Sequence, residues 1–101
     1  MTAQDELWNL VREIPRGKCT TYGELGRALH HSTTGRMVGQ WMANCPDNIP
    51  WWRVVNKQGA LPIWKRDPNM AALQRQLLKR EKVPFVGDLV NLEKCGWAEF
   101  K

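Results

Sequence analysis

IPWWRV, residues 49–54, is the stretch of this sequence from which its fold and function are inferred. It contains two consecutive tryptophans, Trp51 and Trp52, followed directly by Arg53. An indole N–H only donates a hydrogen bond, and the ring has no nucleophilic atom comparable to a thiolate. Neither Trp51 nor Trp52 can therefore attack carbon or transfer a proton, so the stretch favours binding over catalysis.

The chain around this stretch has the size of one small domain. Its 101 residues allow a single modest core, and we expect one domain, 1–101. There is no run of about eighteen apolar residues, and Asp5 and Glu6 replace the basic start of a signal peptide. The sequence therefore predicts a soluble, intracellular protein with no membrane partner, cytoplasmic or nucleoid-associated, or nuclear in a eukaryote. We also expect a monomer.

Composition favours a polyanionic partner. Fifteen Lys and Arg against ten Asp and Glu give a net charge of +5, which favours nucleic acid through counterion release. The six tryptophans suggest stacking on a planar ligand as well as core packing. Cys19, Cys45 and Cys95 are too scattered for a disulfide framework or a zinc site, and His30 and His31 are adjacent. We therefore predict reduced structural thiols, no metal site and no cofactor.

Three helices are predicted in the first half of the chain. Apolar spacing predicts a helix over 3–14. Thr20 or Thr21 can cap a second helix that runs to about His30, and Glu24 would complete a capping box with Thr21. Thr34 or a neighbouring residue caps a third helix that continues to Asn44. The last two helices and their short turn fit either a helix-turn-helix or an ordinary helical hairpin.

The second half is predicted to contain a small wing and a fourth helix. Residues 53–56 and 57–60 suggest a strand, a glycine-containing turn and a return strand. Residues 69–82 form a helix that Asp67 could cap, and its inward-facing side chains are Met70, Leu73, Leu77 and Leu78. Residues 89–92 suggest one more short strand, followed by Trp97 and Phe100 as packing anchors.

Three ordered blocks resemble the DNA-binding and active-site domain of the O6-alkylguanine-DNA alkyltransferases. They are residues 14–25 (IPRGKCTTYGEL), residues 35–39 (GRMVG) and residues 49–55 with Gly59 and Ala60 after them. That family has Ile-Pro-Cys-His-Arg-Val where this chain has IPWWRV. The chain therefore resembles the alkyltransferase-like proteins, which carry tryptophan in place of the acceptor cysteine.

The resemblance implies a mostly α fold with short β strands (α+β), namely a winged helix-turn-helix domain that enters the DNA minor groove. Arg36 matches the arginine that fills the gap left by an extruded guanine, and Tyr22 matches the tyrosine that helps to turn the nucleotide out. A solvated Arg36 and a core-packed Tyr22 are the alternatives. Met37 is bulkier than the small residue of the family. The DNA-binding residues implied are Thr21, Tyr22, Gly35, Arg36, Met37, Gly39, Gln40, Lys57 and Lys65, although single lysines in loops are commonly solvated.

The resemblance also implies a pocket for the flipped base. Its walls are Tyr22, Trp51, Trp52, Val54 and Trp64. Trp51 stands for the acceptor cysteine, and Trp52 departs further from the family because tryptophan-bearing relatives usually keep histidine there. Glu81 aligns with the acid that partners that histidine, and we expect it to form an ion pair or cap a helix end instead. Arg53 is expected to form internal bonds.

The function implied is a non-enzymatic sensor of O6-alkylguanine in duplex DNA. It flips the damaged nucleotide, transfers no alkyl group and marks the lesion for the damage-recognition proteins of nucleotide excision repair. One alternative is a true alkyltransferase that uses a displaced cysteine, for which Cys45 is nearest in sequence. The other is a winged-helix transcription factor that reads the major groove.

Overall fold

The computed structural model of the protein describes residues 2–61 and 68–100. Its elements are, in chain order, α1 (Ala3–Glu13), β1 (Thr20–Thr21), α2 (Tyr22–Ala28), α3 (Gly35–Met42), a 3₁₀ turn (Trp51–Arg53), β2 (Val54–Val55), α4 (Pro68–Arg80), β3 (Phe85–Val86), β4 (Leu89–Val90) and α5 (Leu92–Cys95). Helices dominate and the strands are short, as the predicted α+β class requires. Within the described ranges, no helix has both the length and the apolar character needed to cross a membrane.

Helix α1 forms where the sequence predicts it. Thr2 and Asp5 make a reciprocal capping box, in which each side chain accepts from the other residue's backbone N–H at 3.0 and 3.2 Å. Leu7, Leu10 and Val11 follow at helical spacing and are buried in the main core. The helix therefore presents a continuous apolar face to the rest of the domain.

Helices α2 and α3 begin at the predicted caps. The Thr21 hydroxyl accepts from the N–H of Glu24 at 3.2 Å, and the Thr34 hydroxyl accepts from the N–H of Met37 at 3.1 Å. The predicted capping box is only half formed, because the Glu24 carboxylate bonds to Arg27 instead. Each cap satisfies a backbone donor that would otherwise lack a partner at the start of its helix.

The turn between α2 and α3 packs tightly on α2. The N–H of Thr33 donates to the carbonyl of Gly26 at 3.1 Å, and a Cβ at Gly26 would lie 2.4 Å from the Thr33 oxygen. Only glycine permits this approach. Both helices end two residues earlier than predicted, α2 because the backbone of Leu29 is extended (φ −68°, ψ 148°).

A parallel pair of strands joins the two halves of the sequence. Thr20 pairs with Val54 and Thr21 pairs with Val55. Val54 and Val55 are fully buried, so this strand pair lies inside the domain. The pairing places the 3₁₀ turn, which carries Trp51 and Trp52, close to the start of α2.

The predicted turn after β2 is present, and positions 57–61, where the described part of the chain stops, form no return strand. Asn56 closes the turn by donating to the carbonyl of Ala60 at 3.2 Å, while its side-chain oxygen accepts from the N–H groups of Gln58 and Ala60. The carbonyl of Gly59 accepts from Val90 at 2.8 Å. The hydrogen bonds that would extend a hairpin are thus made by a side chain and by β4.

Helix α4 is present, but one inward-facing residue was predicted wrongly. Leu78 is buried and Met70 and Leu77 are half-buried, whereas Leu73 is 40 % exposed. Gln74, the next residue, is 1 % exposed instead. The helix ends at Arg80 rather than at position 82, and its proposed cap, Asp67, lies outside the described residues.

Gln74 is buried because its side chain bonds to the 3₁₀ turn and to the strand after it. Its Nε2 donates to the carbonyl oxygens of Trp52 at 3.1 Å and Val54 at 3.0 Å. Satisfied polar groups can be buried at little net cost, and they fix one arrangement of the backbone around them. Gln74 therefore holds α4 against the segment that contains both tryptophans of IPWWRV.

The C-terminal part forms a hairpin and a short helix. The predicted strand is confirmed at Leu89–Val90, which pairs antiparallel with Phe85–Val86 through a two-residue turn at Gly87 (φ 62°). The chain then returns to the edge of β1. There the backbone N–H of Cys19 donates to the carbonyl of Cys95 at 2.9 Å, and the carbonyl of Cys19 accepts from the backbone N–H of Trp97 at 2.8 Å. The rings of Trp97 and Phe100 meet edge to face, and both pack against the main core, as predicted for anchors.

Candidate nucleic-acid interface

A cationic groove lies between the start of α2 and the outer face of α3. We call it the Arg36 groove, and its volume is about 520 Å³. Its lining residues are Thr21, Tyr22, Gly23, Arg27, Gly35, Arg36, Gly39 and Lys57. Three of them are cations and none is acidic, so the groove attracts anions such as phosphate. Six of the nine residues predicted to bind DNA line it, namely Thr21, Tyr22, Gly35, Arg36, Gly39 and Lys57.

Arg36 is the second residue of α3 and is exposed in the first turn of the helix. Within the described residues, no hydrogen bond or ion pair holds its guanidinium. A Cβ at Gly35 would lie 3.1 Å from the backbone nitrogen of Gly23, so Gly35 brings α2 and α3 together at the groove floor. Gly39 faces open space. The two glycines thus have different roles, and only Gly39 leaves room for a ligand.

The remaining predicted DNA-binding residues lie outside the groove lining. Met37 is 39 % exposed and Gln40 is exposed, both on α3, so they flank the groove. Lys65 lies outside the described residues. The sequence analysis missed Arg27, which lines the groove and whose Nη1 lies 3.5 Å from where a Cβ of Gly23 would be. The i, i+4 spacing of these two residues on one helical face was the available signal.

Tyr22 connects the groove to the core. It lines the Arg36 groove and packs against the main hydrophobic cluster, while its hydroxyl is buried and has no hydrogen-bond partner among the described residues. Burial raises the pKa of this phenol, and the neighbouring Cys45 adds to the increase. A buried donor without a partner costs about 1–3 kcal/mol. The hydroxyl would therefore gain stabilisation from an acceptor that a ligand brings to it.

The described residues of the predicted pocket all pack in or against the main core, and of these only Tyr22 also lines the Arg36 groove. Trp51 is 5 % exposed and Val54 is fully buried, while Tyr22 and Trp52 pack against the same cluster. The rings of Trp51 and Trp52 meet edge to face, with centroids 5.9 Å apart. Trp64, the fifth residue of the predicted pocket, lies outside the described residues. Tyr22, Trp51 and Trp52 therefore share one core cluster, in which the two indoles touch and Val54 is buried beneath the surface.

Glu81 is the centre of a hydrogen-bond network behind these rings. Its carboxylate accepts from Arg53 Nη2 at 2.7 Å, from the indole Nε1 of Trp52 at 2.9 Å and from the N–H of Gly17 at 3.1 Å. Arg53 also donates to the carbonyl of Ile14 at 2.7 Å. The ion pair predicted for Glu81 and the internal bonding predicted for Arg53 are confirmed.

This network decides the charge state of Glu81. Burial by itself raises the pKa of the carboxyl, but the hydrogen bonds from Arg53, Trp52 and Gly17 outweigh burial and leave the pKa lowered. The side chains of Arg53 and Glu81 are only 14 % and 5 % exposed. The carboxylate is thus an ionised acceptor with all its neighbours acting as donors, and it is not a base available to a substrate.

The alternative nucleophile, Cys45, lies in a setting that does not favour reaction. Its side chain is buried at 6 % exposure in the main core. The two histidines, His30 and His31, are exposed beyond the end of α2, where the N–H of His30 donates to Glu6 of α1. Nucleophilic cysteines are normally accessible and lie beside a base or a cation.

The helix-turn-helix pair and the cationic groove at the start of α3 together define a small α+β DNA-binding domain of the helix-turn-helix class. Residues 2–83 match the family described as 6-O-methylguanine DNA methyltransferase, DNA binding domain. The chain belongs to this family. The match decides between the two interpretations of α2 and α3 in favour of the helix-turn-helix over the helical hairpin.

Two relatives and one solved structure support the assignment. A DNA base-flipping protein of Vibrio parahaemolyticus is 32% identical over 96 residues, which are 91% of this chain and 92% of that protein. Alkyltransferase-like protein 1 of Schizosaccharomyces pombe is 42% identical over 73 residues, 70% of this chain and 65% of that protein. The crystal structure of S. pombe Atl1 in complex with damaged DNA containing O6-carboxymethylguanine has a TM-score of 0.79 and 31% identity, covering 93% of each chain.

Proposed function

We propose that this protein is a non-enzymatic sensor of O6-alkylguanine in duplex DNA. It binds through the minor groove, turns the damaged nucleotide into a tryptophan-walled pocket, and leaves the alkyl group in place. The observation that carries this proposal is the replacement of the thiol and imidazole by Trp51 and Trp52, with Trp52 bonded directly to Glu81. A base-flipping relative and a relative solved with damaged DNA support the same function.

DNA binding is proposed to occur at the Arg36 groove. Arg27, Arg36 and Lys57 neutralise phosphates, and Arg36 is free to leave the groove wall because no partner in the described residues holds it. A guanidinium can stack on the neighbouring bases and hydrogen-bond the orphaned cytosine. Arg36 therefore fills the position that the flipped guanine leaves.

The flipped base is proposed to lie against Tyr22, Trp51 and Trp52. Trp51 is 5 % exposed, so neighbouring side chains must move before the base contacts its ring. The buried hydroxyl of Tyr22 then gains an acceptor from the nucleotide. Flipping costs a few kcal/mol, whereas aromatic stacking returns about 1–3 kcal/mol per base, and a damaged pair opens more easily than a normal one. The alkyl group adds about 0.8 kcal/mol per buried methylene.

No alkyl transfer is proposed, because neither indole is a nucleophile and Glu81 is bonded to three donors. The lesion therefore stays on the DNA and needs a second system. We propose handover to the damage-recognition proteins of nucleotide excision repair. On this proposal the chain acts as a single domain, 1–101, and as a monomer, and it works where DNA is found, in the nucleoid or the nucleus.

One titration tests the binding proposal. Matched duplexes with guanine, O6-methylguanine and a bulkier O6-alkylguanine at one position are compared at fixed salt by fluorescence anisotropy. We expect affinity to increase in that order, because the larger alkyl group buries more apolar surface. Equal affinity for all three, together with preference for one DNA sequence, would instead support a transcription factor.

A transfer assay tests the absence of catalysis. The protein is incubated with a duplex that carries a radiolabelled O6-methyl group, and label on the polypeptide is measured after denaturation. We expect none. Stoichiometric labelling would refute the sensor, and loss of that labelling in Cys45→Ser would identify Cys45 as a displaced acceptor.

A further inference from the structure

A second groove lies beside the Arg36 groove and includes residues outside the family match at 2–83. We call it the Trp97 groove, and its volume is about 420 Å³. Its lining residues are Cys19, Thr20, Thr21, Glu24, Arg27, Lys57, Leu92, Gly96, Trp97 and Ala98. The wall made by Trp97 is fixed, since its backbone N–H donates to the carbonyl of Cys19 at 2.8 Å and its ring packs on Phe100.

The two grooves are continuous. Thr21, Arg27 and Lys57 line both of them, so both cations stand on the boundary between the grooves. Lys57 is exposed and forms no ion pair within the described part of the chain, while Arg27 pairs with Glu24 on its own helix. Exposed pairs of this kind contribute little to stability, so Arg27 can exchange Glu24 for a phosphate at little cost.

An unused hydrogen-bonding group also lines the Trp97 groove. Thr20 is 1 % exposed, and its hydroxyl has no partner among the described residues. Buried hydroxyls are nearly always satisfied, and exceptions commonly indicate a missing water, ion or ligand. A groove with two cations on its border and an unsatisfied hydroxyl on its wall fits a ligand that offers anionic oxygens.

We propose that the Trp97 groove binds the sugar–phosphate backbone next to the part of the duplex that the Arg36 groove binds. Lys57 and Arg27 bind phosphates at the junction, and the C-terminal segment at Trp97 and Ala98 lies beside the next part of the same backbone. This inference extends the proposed DNA binding along the duplex. Because phosphates carry no sequence or damage information, the contact raises affinity for lesioned and undamaged DNA by the same factor.

Ala98 gives a test that leaves the core intact. It is exposed, lines the Trp97 groove and does not line the Arg36 groove. Ala98→Glu places a negative charge in the proposed backbone path, and Ala98→Lys places a positive one. The matched controls are Ala72→Glu and Ala72→Lys, at an exposed position of α4 that lines neither groove. Both positions change the net charge by the same amount.

The dissociation constants are measured for an undamaged duplex and for the same duplex with O6-methylguanine. We expect Ala98→Glu to weaken binding by roughly three- to tenfold and Ala98→Lys to strengthen it, with a steeper salt dependence by about one unit, while the Ala72 variants change by less than about twofold. Ala98 and Ala72 variants that behave alike would overturn the proposal. That result would also follow if the groove accepted an acidic protein instead of DNA.

Two readouts separate this inference from the proposed function. Ethylation interference on the undamaged duplex should show phosphates whose modification blocks the wild type but not Ala98→Glu, and their absence overturns the backbone path. The ratio of affinities for lesioned and undamaged DNA in the wild type tests damage recognition alone. If this ratio is near one while the Ala98 variants still change affinity as expected, the damage-sensor proposal is refuted and the proposed backbone contact at the Trp97 groove stands.

Discussion

The Arg36 groove and the Glu81 network differ in how their polar groups are used. In the groove, Arg36 has no partner among the described residues. In the network, Arg53, Trp52 and Gly17 all donate to one carboxylate. The same domain thus leaves the guanidinium of Arg36 available in the groove, whereas the donors of the network are all bound to one internal acceptor.

The largest effect is expected from breaking the network. Glu81→Ala leaves the guanidinium of Arg53 and the indole N–H of Trp52 buried without their acceptor, which should lower the free energy of unfolding by about 3–5 kcal/mol. Urea denaturation measures the loss. Glu93→Ala, at an exposed acid on α5, is the control and should change stability by less than about 0.5 kcal/mol. Equal effects at both sites would show that the network does not support the fold.

In the Arg36 groove, we expect a substitution to change DNA binding rather than stability. Arg36→Ala should leave stability nearly unchanged but weaken binding to the O6-methylguanine duplex by roughly ten- to a hundredfold, since a cation and a stacking partner for the open base stack are both lost. It should also reduce the fluorescence of 2-aminopurine placed beside the lesion. Arg80→Ala, at an exposed arginine in the last turn of α4, is the control. Unchanged emission in Arg36→Ala would remove Arg36 from the flipping step.

Acid should weaken the network gradually. The pKa of Glu81 is lowered in the folded protein, so its stabilising contribution is complete above the unfolded carboxyl pKa of about 4.3 and is lost as pH falls through the lower folded value. Urea midpoints of the wild type and Glu81→Gln are compared from neutral to acid pH. We expect the difference between them to shrink below about pH 4. A constant difference would mean that Glu81 does not titrate with folding.

No effect at all is expected from restoring the thiol alone. Trp51→Cys should acquire no methyl transfer, because Trp52 offers no general base and Glu81 is bonded to Arg53. Retained DNA affinity through Arg36 shows that the variant is folded, and the transfer assay with labelled O6-methylguanine gives the rate. Rapid alkylation of the new cysteine would show that the pocket still activates a nucleophile.

The sequence predicts best where a local pattern decides the structure. The hydroxyls of Thr21 and Thr34 mark the starts of α2 and α3, because each cap needs only a donor three residues ahead. The candidate groove follows from the same local order, since Tyr22 and Arg36 stand in the first turns of these helices. Family resemblance supplied their proposed roles, which the periodicity of the sequence does not contain.

The parts that were not predictable depend on partners distant in sequence. Gln74 looks like a surface residue until the carbonyls of Trp52 and Val54 are placed beside it, and Leu73 is displaced to the surface as a result. The Trp52 bond to Glu81 likewise spans 29 residues and uses an indole donor where the family pattern suggests an imidazole. Arg27 was not predicted as a groove residue, because the groove also needs Lys57, which lies 30 positions later in the turn after β2.

Gly59 links two segments that are far apart in sequence, and this has a consequence for evolution and engineering. Its φ of 87° suits glycine, and a Cβ at this position would lie 2.3 Å from the carbonyl oxygen of Val90. The carbonyl of Gly59 also accepts a hydrogen bond from the N–H of Val90. If position 59 is changed to all twenty amino acids and the variants are selected for folding, we expect only glycine to be recovered. The turn that carries Lys57 is thereby held against the C-terminal hairpin by a position that accepts no other side chain.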